Sequence, residues 1–184
     1  MSKLRSRLPP SFSVTVGMYA TAGNSTGAPP AIIPSLARAA ALAPADFFAG
    51  VRKGLRARLP ADLRGFELMR GHSRLLKLHY GHPELHFEAW HHTGDGRLEV
   101  GLHFEGTAQQ NERAFGFFRE HMVEVKAALR RAELEPWDRG WSRLYETLPA
   151  PVLDERVMAS AIDLMLEYIT TLQPLVMRFL GEAA

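Results

Sequence analysis

The 184-residue sequence is long enough for one domain with a sizeable core, and its apolar fraction of 46% and charged fraction of 23% are typical of soluble globular proteins. A formal charge of +2 is too small to indicate binding to nucleic acid or to an anionic membrane, and the lack of cysteine excludes disulfides, thiolate metal sites and cysteine nucleophiles. No apolar run approaches the roughly 20 residues of a membrane span, and no signal-peptide core follows the basic N-terminus. We therefore expect a cytoplasmic protein that does not enter a membrane.

The N-terminal part of the chain differs in composition from the rest. Residues 1–34 are rich in Pro, Gly, Ser and Thr, which predicts a mostly irregular tail. Residues 35–184 are expected to form a single domain. Its first clear element is a helix over residues 46–58, where apolar side chains recur at helical spacing. Residues 66–72 form a strand candidate whose pairing partner the sequence does not identify.

The stretch from Leu85 to Glu105 predicts a β-hairpin. Apolar and polar residues alternate on both arms, which is the period of a half-buried antiparallel strand. The arms are joined by the turn-forming segment Thr93-Gly94-Asp95-Gly96. Turns of two and of four residues give the same register, in which His86 pairs with His103. The register places the large apolar side chains on one face and the histidines on the other.

A third strand precedes the hairpin. Residues 74–80 join it through a turn at residues 81–84, and the predicted register pairs Lys77 with Glu88. The apolar side chains of this strand then fall on the same face as those of the hairpin. The three strands form a meander with one apolar face.

Two long helices are predicted in the second half of the chain. The first, over about residues 108–131, begins at Thr107, and Gln110 completes a capping box; the second, over about 155–180, is capped by Asp154. A loop at 133–140 and a strand at 141–148 separate them. Because each long helix has a single apolar stripe, we predict an α+β two-layer sandwich, with an antiparallel meander sheet of about 4–6 strands and both long helices on one face.

Histidines occupy the face that the helices leave free. The register puts His79, His86 and His103 in one lateral row on strands about 4.8 Å apart, with Glu88 or Glu105 nearby. Zinc and similar divalent metals bind such imidazoles readily. A metal-dependent hydrolase with ligands His79, His86, His103 and Glu88 is therefore one functional alternative. The other interpretation is a mixed polar face, on which histidine is tolerated at any position.

An apolar pair interrupts this polar face. Leu75 lies beside Trp90, and an apolar patch within polar surroundings is typical of a partner surface. The sequence contains no Gly-x-Gly-x-x-Gly motif, and its Gly-x-Ser-x-Gly match at residues 23–27 lies in the tail predicted as loop, not on the strand-to-helix turn that a serine nucleophile needs. Our leading hypothesis is therefore a small interaction module without catalysis and without a cofactor. We expect it to bind a protein partner, or to form a homodimer through this patch or through a sheet edge.

The segment from Glu135 to Glu146 is the other unusual stretch. Trp137 and Trp141 alternate with Arg139 and Arg143, an arrangement that can stack a nucleobase or hold an anionic ligand. The stretch supports a third hypothesis, an accessory nucleic-acid-binding domain. The alternative is that both tryptophans are packing anchors.

The order of elements in the second half of the chain resembles a known domain. The strand Arg97-Leu98-Glu99-Val100-Gly101-Leu102-His103-Phe104-Glu105-Gly106 is followed by a helix, a Glu-Pro-Trp loop, a strand ending in Leu144-Tyr145 and an amphipathic helix. This order is similar to that of an uncharacterised domain found fused to, or encoded near, predicted restriction-type nucleases. The resemblance covers about residues 85–180. It implies an accessory or nucleic-acid-associated role, but it identifies no functional residues in this chain.

Overall fold

The computed structural model describes residues 40–182, all of which belong to one compact unit. The predicted tail over residues 1–34 lies outside the described residues. The helices are α1 (Pro44–Arg58), α2 (Ala108–Glu120), α3 (Met122–Ala128) and α4 (Glu155–Glu182). The strands are β1 (Glu67–Leu68), β2 (Leu75–His79), β3 (Leu85–His92), β4 (Arg97–Phe104), β5 (Glu133–Pro136) and β6 (Ser142–Pro149). The predicted α+β sandwich is confirmed.

The six described strands form one antiparallel sheet in the order β1-β2-β3-β4-β6-β5. The predicted registers are confirmed, with His86 opposite His103 and Lys77 opposite Glu88. The meander ends at β4, whose outer neighbour is β6. Residues 133–136, predicted as loop, form the edge strand β5 and pair back on β6. The alternation that reveals a strand is hard to detect in only four residues ending in proline.

The helices cover the apolar face of the sheet. The core contains Phe87 and Leu102 from the hairpin together with Tyr168 from α4. The caps predicted at Thr107 and Asp154 are present. None of the helices within the described range is both long and apolar enough to cross a membrane.

The helix predicted over residues 108–131 is divided into α2 and α3. The break is at His121, whose backbone leaves the helical region at φ −94° and ψ 7°. The His121 ring also bonds the Phe117 carbonyl oxygen through Nδ1 at 2.8 Å, so the side chain competes for an oxygen of the helix backbone. The apolar stripe continues across the break through Phe118 and Val125, which is why periodicity alone indicated one helix.

Gly101 is needed where β4 and β6 approach each other. A Cβ atom at this position would lie 2.6 Å from the Tyr145 Cβ atom and 2.7 Å from the Leu144 carbonyl oxygen. We expect Gly101→Ala to lower the free energy of unfolding by about 1–3 kcal/mol, because the backbone of β4 or β6 has to move to make room for the added methyl group. Urea denaturation measures the change. Gly116→Ala in α2 is the control, since its Cβ meets nothing within 4 Å, and equal losses in both variants would contradict the prediction.

Candidate metal centre

Four potential metal ligands meet on the sheet face opposite the helices. His86 and Glu88 come from β3, His103 comes from β4, and Glu105 directly follows β4. One ligand atom from each residue lies within 4.8 Å of the others. Both imidazoles are fully buried and the Glu88 side chain is 2% exposed. This group, which we call the His2Glu2 cluster, is therefore shielded from bulk water.

The hairpin register explains why the four side chains meet. His86 faces His103 directly across the strand pair, and their rings stack with centroids 5.7 Å apart. Each glutamate lies two residues beyond its histidine, so it is on the same sheet face. Because the strands are antiparallel, Glu88 and Glu105 leave the histidine pair in opposite directions, and both carboxylates bend back to it. Their oxygens lie 3.5 Å and 3.8 Å from Nε2 of His86.

Each of the two imidazoles has an outer neighbour, a backbone carbonyl beside His86 and a carboxylate beside His103. Nδ1 of His86 lies 2.8 Å from the Pro83 carbonyl oxygen, which can only accept a hydrogen bond, so we assign the hydrogen to Nδ1. In the neutral imidazole, the form that binds a metal, the lone pair on Nε2 then points at the cluster. Nε2 of His103 lies 3.3 Å from a Glu99 oxygen, which leaves Nδ1 facing the cluster. Neither inward nitrogen has a hydrogen-bond partner among the described side chains.

A lysine ammonium neutralises part of the negative charge. Nζ of Lys77 lies 3.0 Å from Glu88 Oε2, and 3.1 Å and 3.0 Å from the two Glu105 oxygens. Burial acts to raise the pKa of Glu88, but His86, His103 and Lys77 outweigh it and lower that pKa to about 2. Burial acts to lower the pKa of Lys77, but the two carboxylates outweigh it and raise that pKa.

A second layer of charge lies behind His103. The Glu99 carboxylate is also 3.3 Å from Nε2 of His92 and 2.7 Å from a guanidinium nitrogen of Arg143. Arg143 in turn binds Glu135 at 2.6 Å. Trp137 packs edge-on against the His103 ring at 5.4 Å. The imidazole is thus held by a carboxylate on one side and by an aromatic wall on another.

The structure brings together three of the four predicted metal ligands. His86, His103 and Glu88 are in the cluster, and the neighbouring carboxylate that joins them is Glu105. His79 is buried, but it is not one of the four grouped residues. The roles of Lys77 and Glu99 were not predicted from the sequence. Their contribution depends on side-chain reach across strands, which register alone does not determine.

A signal for the cluster was present in the sequence. The tetrapeptide Leu-His-Phe-Glu occurs twice, at residues 85–88 and at residues 102–105. Its alternation sends Leu and Phe to the core and His and Glu to the opposite face. The two copies supply the four residues of the cluster, so a search for short repeats would have found Glu105 together with the other three.

The predicted nucleic-acid contacts lie in the turn between β5 and β6 and at the start of β6. Arg143 is only 13% exposed and is committed to ion pairs, and its guanidinium lies 4.9 Å from the Trp137 ring centre. Arg139 is exposed and lies 5.4 Å from the Trp141 ring centre. Arg139 can therefore reach a ligand from solvent, whereas Arg143 is held in the protein. Nucleic-acid binding by this segment stays a prediction.

The predicted interface pair is partly covered by the chain itself. Leu75 and Trp90 are paired in the β2–β3 register, and both are half-buried. The Trp90 ring lies 3.9 Å from the His92 ring and 6.0 Å from the Trp137 ring. The turn that carries Trp137 thus covers part of the patch. Self-association through this surface stays a prediction.

Comparison with known proteins does not place the chain in a family. No protein-family model, no curated protein and no solved structure matches it. The resemblance to a nuclease-associated domain stays a prediction. Function has to be argued from the geometry and chemistry of the cluster.

Proposed function

We propose that this protein binds one divalent transition-metal ion, of the zinc type, through the His2Glu2 cluster. The observation that supports the proposal is the pair of inward-facing nitrogens on His86 and His103. Both belong to fully buried rings and lack hydrogen-bond partners within residues 40–182, and both face two carboxylates. Burying a polar atom without a partner costs about 1–3 kcal/mol. A bound ion would remove that cost at both nitrogens.

The donor types and spacing suit such an ion. Zinc is held by imidazole nitrogen and carboxylate oxygen at about 2.0–2.2 Å, which puts neighbouring ligand atoms about 3.3 Å apart in a tetrahedral site. The nitrogen-to-oxygen separations in the cluster are 3.5 Å to 4.0 Å. Small side-chain rotations would therefore close the site. The partners on the outer nitrogens, the Pro83 carbonyl and Glu99, are of the kind that supports metal-bound histidines.

Burial favours a structural role for the ion. Catalytic zinc sites keep one position open for water or substrate, whereas structural sites are closed by four protein ligands. Here the histidines are fully buried and four protein groups are available. A closed site contributes its binding energy to folding. The proposed function is thus that of a domain whose fold is stabilised by a bound metal ion. A hydrolase at the histidine row would need an opening to solvent.

Metal analysis of protein purified without an affinity tag tests the proposal. We expect about one zinc or similar ion per chain, and after chelation we expect titration calorimetry to show one-to-one rebinding. His103→Ala should abolish rebinding, because it removes one of two nitrogen ligands. His72→Ala, at an exposed histidine outside the cluster, is the matched control. Metal-free protein that rebinds nothing, or His103→Ala that binds as well as wild type, would refute the site.

Glu99 is expected to support the metal through His103. Glu99→Gln should weaken metal affinity about 10- to 100-fold, as changes to outer partners of metal-bound histidines usually do. Competition with a chromophoric chelator measures the affinity. Glu135→Gln is the control, since that carboxylate contacts Arg143 and lies one step further from the imidazole. Equal affinities for Glu99→Gln and wild type would show that Glu99 does not act through His103.

A further inference from the structure

The Lys77 ammonium contacts the same carboxylate oxygens that a metal ion would need as ligands. Its Nζ lies 3.0 Å from Glu88 Oε2 and 3.1 Å from Glu105 Oε1. Those same two oxygens are the ones nearest to the inward nitrogens of the two histidines. An ammonium and a metal ion would therefore compete for the same lone pairs.

The charges in the cluster favour one cation over two. Glu88 and Glu105 carry two negative charges, and the next carboxylate outward, Glu99, is already paired with Arg143. A divalent ion alone neutralises the two glutamates, whereas the ion together with Lys77 leaves a net positive charge in a buried place. Like charges that are close and shielded from water repel each other strongly.

The Lys77 side chain can also reach solvent. Its side chain is 15% exposed, whereas the histidines that it faces are fully buried. Four flexible methylene groups let a lysine move its ammonium several ångströms while the backbone stays in place. Release of the ammonium to solvent therefore requires no change in the register of β2.

We propose that Lys77 is an internal counter-ion that the metal displaces, so that metal uptake moves the Lys77 ammonium out of the cluster and onto the protein surface. The inference rests on the proposed metal binding and adds its regulation. The lysine keeps the empty site compact and sets a threshold for filling it, because an ion has to bind the cluster better than the ammonium does. Ions that bind imidazole strongly meet this condition, whereas oxygen-preferring ions such as magnesium do not.

Lysine acetylation of the wild-type chain tests the displacement. The chelated protein and the zinc-saturated protein are each treated briefly with an amine-acetylating reagent, and modification is quantified for each lysine by peptide mass spectrometry. Lys53 and Lys126 are exposed and serve as internal references. We expect zinc to raise acetylation of Lys77 about tenfold relative to the references, since a lysine released from two ion pairs reacts like an exposed one.

The Lys77→Met variant supplies an independent measurement. We expect it to bind zinc about tenfold more tightly than wild type, because no ammonium has to be displaced. Lys126→Met, at an exposed helix position, should bind as wild type does. If zinc binds but Lys77 acetylation and the affinity of Lys77→Met are unchanged, or that affinity falls, the displacement is overturned while metal binding stands. If neither protein binds zinc, the proposed function itself fails. If Lys77→Met does not fold, the acetylation result decides.

Discussion

Metal-free Lys77→Met is expected to lose about 3–5 kcal/mol of unfolding free energy relative to wild type, because the change leaves buried carboxylates without their cation. Glu88 is the group most affected, since its side chain is 2% exposed and Lys77 lies 3.0 Å from it. Surface ion pairs contribute much less, typically below about 1 kcal/mol. Urea denaturation in the presence of a chelator measures the loss.

A double-mutant cycle identifies the cause of that loss. Glu88→Gln in the Lys77→Met background removes the unpaired charge, so the second change should restore part of the stability lost in the first. Lys53→Met, on the exposed side of α1, controls for the substitution itself and should stay within about 0.5 kcal/mol of wild type. Additive losses in the double variant would mean that Lys77 and Glu88 do not act as a pair.

Acid should destabilise the metal-free protein in a pH range that Glu88 determines. Burial opposes ionisation of Glu88, but His86, His103 and Lys77 lower its pKa from 4.5 to about 2. A carboxyl whose pKa is lower in the folded state stabilises the protein fully above its unfolded pKa, and that stabilisation is lost as the pH falls toward its folded pKa. We expect about 2 kcal/mol of the contribution to disappear between pH 6 and pH 3.

Comparison with Glu88→Gln isolates this contribution. The difference in unfolding free energy between wild type and Glu88→Gln should be largest at pH 6 and should shrink by about 2 kcal/mol at pH 3. Urea denaturation at each pH in the presence of a chelator gives the difference. Glu120→Gln, an exposed position on α2, reports the effect of the amide substitution alone. A difference between wild type and Glu88→Gln that does not change with pH would contradict the assignment to Glu88.

The parts of the fold that are local in sequence were predictable. The β3–β4 register follows from a turn whose two possible lengths give the same pairing, combined with strict alternation on both arms. The capping box at Thr107 is likewise a pattern of four residues. The position of β5 was not predictable, because it is a short edge strand held by pairing to β6. The break at His121 escaped prediction because the apolar stripe does not change there.

The candidate centre was predictable only in part. Register placed His86 and His103 side by side, and it placed Lys77 beside Glu88. It did not show that these polar side chains are buried, because their cover includes Trp137, which is far away in sequence. It also did not show that Glu105, beyond the end of β4, turns back to the histidines. Both features depend on three-dimensional packing and side-chain reach.

The duplicated Leu-His-Phe-Glu tetrapeptide restricts the insertions and deletions that the hairpin can tolerate. The two copies begin 17 residues apart, and His86 meets His103 because both arms have matching lengths from the turn. One residue added to a single arm would place a histidine opposite a core phenylalanine and move the ligands beyond it to the helix side. Insertions and deletions that preserve the cluster are therefore expected to fall in the turn, or to change both arms by the same even number of residues.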